Sequence, residues 1–123
     1  MRPELEALAD EHFVSLATFR KSGERVATPV WIARDGDSLI VTTPSDTGKV
    51  KRLRNNSAVE LRPSSRMGKE SGPTVTASAI IEPETPELAA IFARKHPLEY
   101  RVFMFIEKRA NKTNKPRLIL RIR

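Results

Sequence analysis

Short apolar runs separated by turn residues fill most of this chain, and they carry two different periods. The first thirteen residues, MRPELEALADEHF, read as a short helix through Leu5, Leu8 and His12. Phe13 to Phe19 (FVSLATF) is then a nearly continuous apolar run, KSGE supplies a turn, and Arg25 to Arg34 (RVATPVWIAR) is a second run rich in β-branched residues. Asp35-Gly36 is a hairpin signal, so Leu39 to Thr43 completes a three-strand meander. Ser45 or Asp46 is placed to cap a helix running to about Asn55, with Val50 and Leu53 facing inward. Further strands are predicted at Ala58 to Arg62 and at Thr74 to Ile81, where Val75, Ala77, Ala79 and Ile81 share one face. Thr85 caps a helix that begins at Pro86, keeps helical spacing through Leu88, Ile91, Phe92 and Lys95, and stops at Pro97. The segment from Leu98 to Lys108 contains the strand-like VFMFI, but the spacing of Leu98, Val102, Phe105 and Ile106 selects a helix. Leu118, Leu120 and Ile122 alternate as a last strand. The order β-β-β-α-β-β-α-α-β, with early hairpins and no βαβ rhythm, predicts a mainly antiparallel β-barrel with peripheral helices, built as one domain over residues 1–123.

Composition narrows the setting. There is no cysteine, which removes disulfides and thiolate metal sites and makes the cytoplasm the default location. The acidic N-terminus lacks the basic start and apolar run of a signal peptide. No stretch approaches the roughly 20 apolar residues of a membrane helix, so a soluble intracellular protein is expected. The formal net charge of +7 biases the partners toward anions: nucleic acid, acidic lipid, or a phosphorylated or carboxylated small molecule. The aromatic residues are few and sit at core-like positions, and no nucleic-acid motif occurs, which argues against nucleic acid.

Catalytic constellations are mostly missing from the sequence. His12 and His96 are far apart in the chain and have no cysteine companions, so they are expected as surface or internally satisfied histidines and not as a zinc site. There is no nucleophile elbow, and GKES at 68–71 lacks the spaced glycine of a P-loop. Hard chemistry would therefore belong to a cofactor, with the protein supplying binding, orientation and exclusion of water. No catalytic side chain is assigned. The strongest local feature is TPSDTGKVKRLRNN at 43–56, which sets Lys49, Lys51, Arg52 and Arg54 within six positions behind a run of turn residues. A helix start carries free N–H groups and partial positive charge, and here Thr42, Thr43, Thr47, Lys49 and Lys51 surround it: a competent phosphate site. The competing account is a solvated basic helix face.

The stretch FVSLATFRKSGERVATPVWIARDGDSLIVTTPSDTGKVKRLRNNSAVEL, residues 13–61, resembles the flavin-binding split-barrel superfamily that includes the pyridoxamine phosphate oxidases. Within it the nearest likeness is to the actinobacterial deazaflavin-dependent oxidoreductases, which use coenzyme F420. The resemblance implies that Thr28, Pro29, Val30 and Trp31 line the cofactor ring and that Thr42, Thr43, Lys49 and Lys51 hold its phosphate. Arg54 and Asn55 would stand near the cofactor tail. Arg52, three residues beyond Lys49, is expected to be mainly solvated. It implies F420, or alternatively FMN, as cofactor, with tetrapyrrole binding also known in the superfamily. The anionic tail of F420 suits a basic groove that Arg62, Arg66 and Lys69 would extend. It further implies a homodimer with the cofactor at the interface, and hydride transfer to or from a small unsaturated or quinone-like substrate.

Overall fold

The computed structural model describes residues 1–110 and 116–123; the side chains of Phe103, Met104 and residues 106–110 lie outside that description. The elements in chain order are α1 (Pro3–Leu8), β1 (Phe13–Phe19), β2 (Arg25–Trp31), β3 (Ala33–Asp35), β4 (Ser38–Pro44), α2 (Gly48–Asn55), β5 (Ala58–Ser64), β6 (Val75–Pro83), α3 (Pro86–Lys95), α4 (Pro97–Ala110) and β7 (Arg117–Ile122). The strands form one antiparallel seven-stranded sheet in the order β2-β1-β5-β6-β7-β4-β3. The architecture is mainly β with peripheral helices, as the hydrophobic periods imply.

The two edge strands of that sheet are consecutive in the chain, and this makes the sheet a barrel. The run from Arg25 to Arg34 reads as one strand but is divided at Ile32: β2 pairs with β1 (Trp31↔Phe13, Arg25↔Phe19), whereas β3 pairs with β4 (Ala33↔Ile40). Ile32 is fully buried, and its carbonyl accepts from the Lys95 ammonium at 2.7 Å instead of from a strand. The backbone therefore changes sheet halves at Ile32, because its acceptor is spent on the end of α3. β6 serves both halves on the far side, pairing with β5 at Ala77 and with β7 from Ala79 onward.

Inside the barrel lie Val14, Leu16, Leu39, Val41, Leu61, Leu120 and Ile122. A second core forms outside it, where Phe92, Leu88 and Ile91 of α3 and Tyr100 of α4 cover Ala33, Ile40, Ile119 and Trp31. β4 is consequently buried on both faces, which is why LIVTT reads as a continuous apolar run and not as an alternation.

Four boundaries differ from the sequence reading. α1 ends at Leu8, so His12 lies beyond it. Thr47, not Ser45 or Asp46, occupies the N-cap position of α2. β5 continues to Ser64 and β6 to Pro83. Leu98, Val102 and Phe105, spaced as an apolar helix stripe, are 75%, 59% and 61% exposed, so this stripe of α4 is not part of the core. Among the described residues no helix is long and apolar enough to cross a membrane.

Candidate cofactor-binding cleft

A cleft of about 280 Å³ opens between β2 and the start of α2, lined by Phe13, Pro29, Val30, Trp31, Thr42, Lys49 and Arg117. Its two ends differ chemically. At one end are a proline ring and two aromatic rings. β2 is an edge strand, the setting in which a proline inside a strand is tolerated. Phe13 pairs with Trp31 across β1 and β2, so their side chains share a sheet face. Gly68 of the β5–β6 loop, at φ +89°, passes close enough to Pro29 that a Cβ there would touch the proline ring at 3.7 Å. From the same loop Arg66 stands over the Phe13 ring at 5.9 Å.

The other end is cationic. Lys49 is half-buried at the first turn of α2, and burial, with the nearby charges of Arg52 and Arg117, holds its ammonium below the usual lysine range. Among the described residues it has no hydrogen-bond acceptor and no carboxylate partner. Thr47 makes no capping bond; its hydroxyl meets Thr43 Oγ1 at 3.1 Å and the Pro44 carbonyl at 3.4 Å. No acidic residue occurs in the first turn, so the leading N–H groups keep their partial positive charge.

The structure sorts the ten residues implied by the sequence. Pro29, Val30, Trp31, Thr42 and Lys49 meet at the cleft. Thr42 already accepts from Arg117 Nε at 3.1 Å and donates to Glu84 at 2.9 Å. Thr43, its neighbour in β4, points the other way and is buried, bonded to Thr47. Thr28 does not line the cleft; its Oγ1 is buried without a partner on the opposite face of β2 from Pro29. Lys51 and Arg54 are exposed on α2 and outside the cleft. Asn55 bonds the Lys51 carbonyl at 3.2 Å and borders a different depression, with Phe19, Arg20, Lys21 and Asn56. Arg62 does not extend the groove either, because it is tied to Glu70 and to the Gly72 carbonyl.

Three contributors escaped the sequence reading. Phe13 had been read only as a core position. Arg117 opens the last strand and reaches the cleft only because it pairs with Pro44 at the end of β4. Arg52, expected in solvent, is half-buried and donates to Thr18 Oγ1 at 2.6 Å. Its guanidinium folds back over the helix start, so that a Cβ on Gly48 would fall 2.7 Å from its Nη1. The signal was present: a glycine four residues before an arginine leaves room for that fold.

A larger hollow of about 620 Å³ lies elsewhere, lined by Met1, Arg2, Leu5, Asp35, Asp37, Ser38, Arg121 and Arg123. Its central cation, Arg121, is already held by Asp35 at 2.9 Å and Glu82 at 2.6 Å, so it offers little unspent charge. The smaller cleft is the chemically open one.

The family model described as pyridoxamine 5'-phosphate oxidase matches residues 1–123. The chain belongs to this family. Among solved structures the family fold recurs at low identity. An F420 reductase is 20% identical with a TM-score of 0.58, covering 100% of this chain and 94% of its own. HutZ, the heme storage protein from Vibrio cholerae, is 15% identical with a TM-score of 0.65, covering 100% and 90%. A FAD-binding protein from Mesorhizobium loti is 18% identical with a TM-score of 0.55, covering 95% and 82%. At such identities these likenesses establish the fold and leave the ligand open. The comparison with curated proteins gives no significant match. What distinguishes this family member is therefore read from its own cleft, whose described lining holds two cations and no carboxylate, imidazole or thiol.

Proposed function

We propose that the chain is an oxidoreductase that binds coenzyme F420 in this cleft and passes hydride to or from a small unsaturated or quinone-like molecule, as in the deazaflavin-dependent branch of the family. The observation that carries the reading is Lys49: a half-buried ammonium without an acceptor among the described residues, flanked by two guanidinium groups, at a helix start whose N-cap Thr47 makes no capping bond. An anion joining such a group relieves its desolvation and the repulsion of its neighbours, and a cofactor phosphate supplies one. Pro29, Trp31 and Phe13 provide the flat apolar surface that a fused ring system needs at the other end. The deazaflavin supplies the hydride chemistry; the protein orients the ring and keeps water from it. Lys51 and Arg54 on α2, with Arg66 near Phe13, extend positive potential past the cleft and favour the polyanionic tail of F420 over the shorter FMN.

The test is a titration of the purified chain with F420, FMN and haem in parallel. F420 is expected to bind most tightly, with a change in its fluorescence. Tighter FMN binding would keep the site and overturn the choice of cofactor. Tight haem binding with neither flavin-type ligand would replace the enzyme reading with tetrapyrrole binding.

We propose further that the working unit is a homodimer. At about 280 Å³ the cleft lies at the lower edge of pockets that enclose a small molecule. Leu98 and Val102 meanwhile leave an apolar stripe of α4 in solvent. Light scattering at micromolar concentration with F420 present is expected to give twice the chain mass, and a monomeric mass would refute this part.

A further inference from the structure

The two histidines are expected from the sequence to be unrelated, but the fold brings them together. Their ring centroids lie 4.5 Å apart, and Glu99, at the start of α4, reaches His12 Nε2 with its Oε1 at 2.9 Å. One ring nitrogen of each histidine and a carboxylate oxygen of Glu99 all lie within 4.8 Å of one another. His96 is fully buried. Its Nε2–H faces the Ile32 carbonyl at 3.4 Å, which leaves its lone pair on Nδ1, and Nδ1 is a buried polar atom without a partner among the described residues. A buried acceptor with nothing to accept from costs on the order of 1–3 kcal/mol. A chain does not ordinarily keep such an atom on a ring packed 4.5 Å from a second imidazole, with a carboxylate close by, unless something else joins them.

We propose that His12, His96 and Glu99 form a binding site for one divalent transition-metal ion of the zinc type. Two imidazoles and one carboxylate make a ligand set that leaves a position for water, as in open zinc sites. Bond lengths of about 2.0–2.2 Å place tetrahedral ligands roughly 3.3 Å apart. The His12–Glu99 separation of 2.9 Å is already of that order, and the widest separation in the trio, within 4.8 Å, closes with a shift of roughly 1.5 Å. The hydrogen bond from the second nitrogen of His96 to a backbone carbonyl is the outer contact that fixes a ligating imidazole's tautomer and orientation. The ion would take the place of the proton that His12 shares with Glu99. The nearest fixed cation, Lys95, spreads its charge over three carbonyls at 2.6–2.7 Å, and Asp10 and Glu11 act on it from the same side of the chain.

Position gives the site a consequence. Its ligands come from the α1–β1 connection, the α3 C-terminus and the first turn of α4, so an ion there ties both helices to the N-terminal segment. Trp31 stacks on His96 with centroids 5.4 Å apart at 14°, and the same indole lines the cleft. The metal site therefore lies behind the cleft wall and outside the cleft itself.

The experiment uses the untagged chain after treatment with a chelator. With two histidines and no cysteine in the sequence, imidazole-dependent binding has no other source. Zinc titration against a chromophoric competitor is expected to show one equivalent per chain at micromolar or tighter affinity. Fluorescence of Trp31, the sole tryptophan, should change over the same range. Cobalt substitution should give visible bands of a low-coordinate site. His12→Ala and Glu99→Gln alter partly exposed side chains and leave His96 in the core. Each is expected to weaken zinc by at least about 10- to 100-fold, the range lost even when outer-shell partners are removed, with the metal-free melting curve little changed. Binding no tighter than millimolar, or an affinity the same in the parent and both variants, would overturn the proposal.

Discussion

Replacing Lys49 with alanine is expected to weaken F420 by about 10- to 150-fold while leaving the fold intact. The estimate rests on one charge-assisted hydrogen bond to phosphate, worth roughly 1.5–3 kcal/mol, which converts to that range of dissociation constants. Stability should hold or rise slightly. The ammonium is partly desolvated and repelled by Arg52 and Arg117, and it has no acceptor among the described residues. The comparison variant is Arg54→Ala, an exposed cation of the same helix that would meet only the cofactor tail and is expected to cost clearly less than Lys49→Ala, whereas Arg52 is bonded to Thr18 and would report on the fold as well. A loss of only two- to threefold at both positions would mean a diffuse basic surface and no phosphate seat. The pH dependence has a definite sign. Lys49 is held below its ordinary value in the free protein, and a bound phosphate would raise it, so binding takes up a proton. Affinity should be complete below the depressed value and fall as pH rises through it towards the ordinary lysine range. The Lys49→Ala variant should lose that slope.

Lys95→Met is expected to be the most damaging single change to stability outside the apolar core. The Lys95 ammonium donates to three carbonyls from two distant segments: Ala9 at 2.6 Å, Glu11 at 2.7 Å and Ile32 at 2.7 Å. These bonds join the α1–β1 connection, the β2–β3 crossing and the end of α3. Methionine keeps the length and volume of the side chain and removes every donor. The Ala9 and Glu11 carbonyls lose this donor at on the order of 1–3 kcal/mol each, while Ile32 keeps its 3.4 Å contact from His96 Nε2; the site is half-buried and water recovers part of the cost. A net loss of about 3 kcal/mol is expected, or roughly 10–15 °C in Tm for a domain of this size. Chemical and thermal denaturation would measure it. A loss below about 1 kcal/mol would show that water replaces the ammonium fully, and the crossing at Ile32 would then need another explanation.

The sequence by itself determined the fold class, because period-two alternation and turn residues are local and each strand carries its own record. It also placed the basic cluster correctly on the helix that follows β4, and Pro29 carries a local mark of an edge or bulge, since a proline in a strand has few permitted settings. Period two alone bears on the threonine pair as well: neighbours in a strand face opposite ways, so Thr42 and Thr43 do not share a ligand. Which of the two meets the cleft was decided only by tertiary structure, where α3 covers the outer face of β4 and the barrel interior takes Thr43. The same holds along α2. Burial of Val50 and Leu53 leaves Lys49 and Arg52 half-enclosed and Lys51 and Arg54 in water, although all four carry similar charge in the sequence. Arg117 came to the cleft through a pairing that spans more than half the chain, and His12 met His96 across a similar distance. Contacts of that kind leave no periodic trace, because each partner's local pattern is set by its own strand or helix and the meeting is set by how the barrel closes.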